Sequence, residues 1–385
     1  MAAVTRRNNP NLGSLSARRF LQDYWQKKPL LIRRAFGNFE PLVSLTELAA
    51  LARRDDVEAR LVTFFEGRWG VRDGPFARLP ARRSDWTLLV QGVNLYVPAV
   101  DALLQRFAFL PYTRLDDIMV SYAVEGGSVG PHFDSYDVFL LQAEGRRRWR
   151  IGSQKDLELE DDVPLKILRR FAATEEWVLE PGDMLYLPPH IAHEGVALEP
   201  GMTYSIGFRA PSFTEIAREF LFSMAETTSL EGRYQDASRK PVARPARLER
   251  ELLRQVGAQL GRIRWSPKDV EHFVGRYFSE PKAHVYFEPP AHRTRERFGA
   301  LALRHGLIVD PRTRLLYRDR DFYINGECVR VSKSAHDWLA TLADQRRANR
   351  AACRAGLLQD ELLTLLHEWY EAGWIIKGES TRVTQ

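Results

Sequence analysis

The sequence predicts a mixed α and β fold with a β-sandwich or barrel at its centre, and three observations carry that expectation. Between Ala59 and Ala210 the chain runs as short β-branched and aromatic segments separated by turn residues. On either side of that region, apolar residues fall at helical spacing. Within it, Gly130-Pro131-His132-Phe133-Asp134 and Pro181-Gly182-Asp183-Met184-Leu185-Tyr186-Leu187-Pro188-Pro189-His190-Ile191-Ala192-His193 can be read together as one metal site.

Taken in order, Ser16 is a possible cap for an amphipathic helix carrying Phe20, Leu21, Tyr24 and Trp25, which Lys28-Pro29 ends. Leu30-Leu31-Ile32 follows as a short strand. Ser44 to Leu51 reads as a second helix, with Glu47 at the capping-box position. The strand candidates are 61–65, 86–91, 118–123, 138–142, 149–151, 177–179, 184–187 and 203–208. After Pro211, Phe213 to Ala225 is apolar at helical spacing, Leu230 to Arg247 is polar and basic, and Leu248 to Leu260 is helical again. The last part mixes helices near Pro267 to Tyr277, Ser334 to Asp344 and Asp360 to Ala372 with strands at 315–317 and 322–324. Gly373 is placed to stop the final helix, and Trp374-Ile375-Ile376 can close as a strand.

A chain of 385 residues is long for one core, so two or three domains are expected. Hydrophobic content of 44% with 28% charged residues describes an ordinary globular protein. The first nine residues lack an apolar leader core and no later run is apolar enough to span a bilayer, which reads as cytoplasmic with no membrane partner. Cys328 and Cys353 lie far from the histidine cluster between residues 132 and 193, so any metal must rest on His, Asp or Glu. The net charge of +6 permits attraction to RNA, but the 56 basic and 50 acidic residues are interspersed. A solvated surface is the better reading, and direct nucleic-acid binding is not expected.

Two histidines and a carboxylate on one face of a metal leave the other face open for substrate and oxygen, as in non-haem Fe(II) oxygenases. If the chain around residue 132 is extended, His132 and Asp134 point to the same face. The second segment then offers the third ligand, with Pro188-Pro189 redirecting the chain before His193. His190 competes for that place, its other reading being a pocket-rim histidine, and Glu194 is a further competitor. Iron suits the set better than zinc, because a closed zinc site wants four ligands, commonly with Cys. The open face suits a chelating cosubstrate, 2-oxoglutarate, with O2, and its distal carboxylate needs a fixed cation. Gly145-Arg146-Arg147-Arg148-Trp149-Arg150 supplies candidates: alternation puts Arg146 and Arg148 on one face and Arg147 on the other, with no large neighbour. The plain alternative is a basic edge strand that deters aggregation.

The stretches Phe20 to Arg33, Gly130 to Gly152 and Glu180 to Pro211 resemble the JmjC-type ribosomal oxygenases, above all the bacterial branch that hydroxylates an arginine of a large-subunit ribosomal protein. The resemblance implies a double-stranded β-helix (a cupin-type jelly roll) over 1–210, a helical dimerisation module over 211–265 giving a homodimer, and a winged helix over 266–385. It implies Fe(II) on His132, Asp134 and His193, with 2-oxoglutarate on Arg147 beside Ser121 and Thr203. The family often has Asn where Thr203 stands and Gly where His190 stands. For substrate it points to Asp117 and Tyr136, with Met119 and Ser205 nearby; independently, a guanidinium needs a carboxylate and benefits from an aromatic face. The alternatives within the same chemistry are a histidyl hydroxylase or a lysine demethylase. From another class comes a cupin-like binding module without catalysis.

Overall fold

A computed structural model of the chain describes residues 12–80, 84–237, 239–357 and 359–378; the N-terminal residues read above for a leader lie outside them. Contacts divide the chain into two compact units. One comprises Met1–Ala210, Pro281–Thr313 and Asp337–Gln385, the other Pro211–Glu280 and Arg314–His336.

The first unit opens with α1 (Ala17–Asp23), capped by the Ser16 hydroxyl, which accepts from the Arg19 N–H at 3.2 Å. After β1 (Leu30–Ile32), α2 (Leu45–Leu51) begins at a complete capping box between Ser44 and Glu47. There follow β2 (Ala59–Phe65), β3 (Arg68–Asp73), β4 (Trp86–Val90), α3 (Pro98–Gln105), β5 (Leu115–Ala123), β6 (Val138–Glu144), β7 (Arg147–Gly152), β8 (Glu175–Leu179), β9 (Met184–Leu187), β10 (Ala192–Ala197) and β11 (Gly201–Phe208). They pair antiparallel into an eight-stranded sheet, β1-β9-β6-β11-β5-β4-β2-β3, and a three-stranded sheet, β10-β7-β8. These two sheets are the β-sandwich that the short-strand texture implied, in the jelly-roll form that the family resemblance implied. Two of its strands carried no clear signal: β3 is charged with a central Gly, and β10, Ala-His-Glu-Gly-Val-Ala, has a single β-branched residue.

Side-chain alternation gives the large sheet two different faces. Ile118 and Val120 of β5, Phe139 and Leu141 of β6, Met184 and Tyr186 of β9, and Tyr204 and Ile206 of β11 turn to a core shared with Phe20, Leu48 and Leu103 of the helices. Val138, Leu140, Leu185 and Leu187 turn the other way and meet Trp149, Ile151 and Leu179 in a core between the two sheets.

After β11 come α4 (Phe213–Thr227), α5 (Arg250–Leu260), α6 (Pro267–Ser279), α7 (Arg295–His305), β12 (Leu307–Val309), β13 (Leu315–Arg318), β14 (Asp321–Ile324), β15 (Glu327–Arg330), α8 (Lys333–Gln345), β16 (Arg347–Ala348), α9 (Arg350–Gly356), α10 (Asp360–Glu371) and β17 (Ile375–Lys377). In the second unit α6 packs on the meander β13-β14-β15. Gly275 permits that approach, since a Cβ there would lie 2.5 Å from ring atoms of Tyr323. In the first unit β16-β12-β17 forms a small sheet, with Gly373 at φ 76° ending the last helix. Among the described residues no helix is long and apolar enough to cross a membrane.

One buried polar network joins the N-terminal segment to the jelly roll. Asp137, with no exposed surface, accepts from the Tyr186 hydroxyl at 2.6 Å, the Gln26 side-chain amide at 3.1 Å and Arg114 at 3.1 Å. The Tyr186 oxygen in turn accepts the Gln26 backbone N–H at 2.7 Å. Asp137→Ala would leave these donors unanswered, so a loss of about 2–4 kcal/mol in unfolding free energy is expected in a urea titration. A change under about 0.5 kcal/mol, the size of an ordinary surface substitution, would show that the network does not fix the join.

Candidate active site

The stretch around residue 132 is not the strand that alternation assumed. His132 instead makes one isolated antiparallel bridge to His193 of β10, with reciprocal backbone hydrogen bonds of 2.9 and 2.8 Å. The bridge sets the imidazole centroids 4.2 Å apart. Asp134 comes to the same place, its Oδ2 3.8 Å from His193 Nε2, and one ligand atom from each of the three residues lies within 4.8 Å of the others.

Each histidine is oriented by a backbone carbonyl two residues before it: Nδ1 of His132 meets Gly130 O at 2.9 Å, and Nδ1 of His193 meets Ile191 O at 2.8 Å. A carbonyl only accepts, so the proton sits on Nδ1 and the lone pair on Nε2, the arrangement a metal requires. Burial, reinforced by His132, pulls His193 down to about 4, so its ring is neutral at pH 7.

His190 and Glu194 lie outside this group. His190 is exposed and adopts φ 65°, a left-handed conformation that explains why Gly suits this position. Its backbone N–H donates to Asp134 O at 2.7 Å, so it braces a ligand through its main chain. Glu194 accepts from Arg150 Nε at 2.9 Å.

Arg147 is 6% exposed, and burial pulls its guanidinium down to about 10. Nη1 donates to Thr203 Oγ1 at 3.1 Å and Ser121 Oγ at 3.3 Å, and the Thr203 hydroxyl in turn donates to Gln142 Oε1 at 2.9 Å. Its Nε is buried without an acceptor, and no carboxylate among the described residues pairs with it. A buried cation in that condition is costly unless an anion completes it. The face was expected to be free of large neighbours, but Trp149 shares it, with the guanidinium 5.5 Å from the ring centroid. Alternation along β7 could have shown this.

β5 and β11 present the rest of the site from the polar side of the large sheet. Register places Ser121 opposite Thr203 and Met119 opposite Ser205. These residues, Asp117, Tyr136, Arg147 and the His-Asp-His group line one cavity of about 780 Å³, ample for a small dicarboxylate and an incoming side chain. Tyr136 is 42% exposed. Asp117 is 3% exposed; burial raises its pKa and Lys282 opposes the shift. It accepts from the Gln91 side-chain amide at 3.0 and 3.2 Å and from Lys282 Nζ at 2.7 Å. Gln91, Gln142 and Lys282 were not singled out from the sequence, since amides and a lone lysine carry no spacing signal.

A jelly roll holding two histidines and an aspartate beside a buried, unpaired arginine has the donor set of an Fe(II) oxygenase and an anchor for an anionic cosubstrate. Residues 102–216 match the JmjC domain model, and residues 262–375 match the ROXA-like winged helix. The chain is 38% identical over 319 residues to the ribosomal protein uL16 3-hydroxylase of Escherichia coli, covering 80% of this chain and 84% of that one. It is 43% identical over 211 residues to a probable ribosomal oxygenase of Haemophilus influenzae, covering 51% and 50%. The structure of the Escherichia coli ribosomal oxygenase YcfD in complex with cobalt and 2-oxoglutarate superposes with a TM-score of 0.80 at 33% identity, covering 94% of this chain and 98% of that one. The chain belongs to the JmjC ribosomal oxygenases, and to their members that carry a ROXA-like winged helix.

Two substitutions separate the ligand group from its brace. Asp134→Ala should weaken Co(II) binding, followed by calorimetry, by at least about tenfold. His190→Gly should leave that affinity within about twofold and raise thermal stability by about 1 kcal/mol through relief of the left-handed backbone. Loss of metal binding in His190→Gly would make His190 a ligand after all.

Proposed function

We propose that this chain is an Fe(II)- and 2-oxoglutarate-dependent dioxygenase that hydroxylates an arginine side chain of a large-subunit ribosomal protein. The observation that carries this reading is the meeting, in one cavity, of the His132-Asp134-His193 group, the unpaired guanidinium of Arg147 and the buried carboxylate of Asp117. The relative named a uL16 3-hydroxylase supports the substrate class.

In this reading His132, Asp134 and His193 hold the iron. Bound with 2-oxoglutarate and O2, iron supplies the oxidation that places a hydroxyl on an unactivated carbon, with release of succinate and CO2. The protein's part is to bind, orient and exclude. Arg147 receives the distal carboxylate of 2-oxoglutarate, its Nε and Nη2, on the side away from the Nη1 bonds, offering the paired donors that a carboxylate matches. Ser121 and Thr203 hold the guanidinium in place, and Gln142 fixes the Thr203 hydroxyl as a donor to itself. Asp117 receives the substrate guanidinium, Tyr136 offers its ring and hydroxyl, and Met119 and Ser205 shape the wall between. A buried carboxylate favours a cation over a neutral imidazole, which sets arginine ahead of histidine.

Residues 1–210 serve as the catalytic domain, 211–265 as a dimerisation module and 266–385 as the winged helix. Exposed Phe213, Leu221 and Phe222 on α4, with Leu253, Val256 and Leu260 on α5, support a homodimer through these helices. A ribosomal protein as substrate supports a cytoplasmic location.

Incubation with large-subunit ribosomal proteins, Fe(II) and 2-oxoglutarate should add one oxygen to a single arginine, mapped by tandem mass spectrometry. Oxygen on a histidine, loss of a lysine methyl group, or absence of succinate from well-folded, iron-loaded protein would each replace the proposal with one of its alternatives. Arg147→Met should raise the KM for 2-oxoglutarate about a hundredfold, the cost of losing a bidentate charged pair. An unchanged KM would remove Arg147 from the cosubstrate site.

A further inference from the structure

Asp117 does not stand alone at the polar end of β5. Lys282, which lies in the C-terminal part of the chain just after α6, brings its ammonium to 2.7 Å from Asp117 Oδ2 and 3.3 Å from Asp116 Oδ2. A turn closed by the Val285 N–H on Lys282 O at 2.9 Å holds its backbone. The Lys282 side chain is 29% exposed and that of Asp117 only 4%, so the pair is poorly screened.

The unused acceptor capacity of Asp117 fits a third party. Asp117 Oδ2 takes Lys282 and Gln91, whereas Oδ1 takes only Gln91, at 3.2 Å. A carboxylate has about four lone-pair directions, so Oδ1 keeps room for a further N–H donor. Gln91, Asp116 and Asp117 line the cavity, while Lys282 is not among its lining residues. The lysine therefore backs the carboxylate from outside the cavity and leaves its inner edge to the ligand.

We infer that Lys282 is a positioning residue for the cationic substrate: it keeps Asp117 ionised and aimed, so that the C-terminal part of the chain helps to select a charged side chain. The inference rests on the function proposed above. Without Lys282, a carboxylate buried beside a second carboxylate takes up a proton or turns away, and either change removes the acceptor that a guanidinium needs.

The test uses the full-length, iron-loaded protein and two peptides of one ribosomal sequence, carrying arginine or its neutral isostere citrulline at the target position. For the wild type, arginine should bind at least about tenfold more tightly than citrulline. In Lys282→Met the KM for the arginine peptide should rise about tenfold with kcat changed less than about twofold, and the preference over citrulline should largely vanish. Lys282→Arg, which restores the charge, should recover most of it, a result that a merely structural role would not give. Undiminished preference in Lys282→Met, or a lower KM showing that the lysine competes with the substrate, would overturn the inference and leave the proposed function standing. Wild-type protein that modifies no arginine peptide would overturn both.

Discussion

The site depends on one pair of backbone hydrogen bonds, those exchanged between His132 and His193. His132 belongs to a loop before β6, whereas His193 belongs to β10 of the three-stranded sheet, and no ladder extends the bridge. These two bonds thus set the spacing of the imidazoles. The carbonyls of Gly130 and Ile191, equivalent positions on the two strands of the bridge, then orient both rings the same way. Asp134 follows two residues later, braced by the His190 N–H at its carbonyl, and Asp137 anchors the loop where it enters β6. A metal site needs its ligands held to within a fraction of an ångström, and here the main chain supplies that precision.

The large sheet makes the pocket possible by keeping its two faces distinct. Ile118, Val120, Tyr204 and Ile206 fill a dry core with the helices, and the residues between them on the same strands, Asp117, Met119, Ser121, Thr203 and Ser205, line the cavity. A one-residue slip between β5 and β11 would bury the polar set in the helical core, so the apolar face enforces the register that the chemistry uses. Arg147, on β7 of the three-stranded sheet, reaches that polar face, and hydroxyls and an indole surround its guanidinium. Its Nε is left without an acceptor, which is the basis for proposing it as an anion anchor.

Much of this was legible in advance, element by element. The helix at Ser16, the capping box at Ser44 and the strand 184–187 all follow from local chemistry, in which the side chain that starts or fills an element sits within a few residues of it. β3, β10, α7, β15 and α9 were missed where charge or small residues blur the period, and α3, β12 and β16 were missed because each is short. The His-x-Asp and distal His pattern pointed to the ligand group, although the reason given for it, an extended strand at 132, was not the one the fold uses.

The sequence by itself determined the chemistry on offer: which residues can bind a metal, which cation can meet a carboxylate, and how the apolar residues divide into faces. These are properties of residue type and short-range period, and they survive without knowing what lies across the fold. The tertiary structure alone decided which groups meet. It brought His193 from β10 beside Asp134 of a separate loop, and carried Lys282 to a carboxylate on β5. Contacts between residues far apart in the chain leave no periodic mark, because their geometry comes from the packing of whole sheets and helices and from the requirement that each buried charge find a partner.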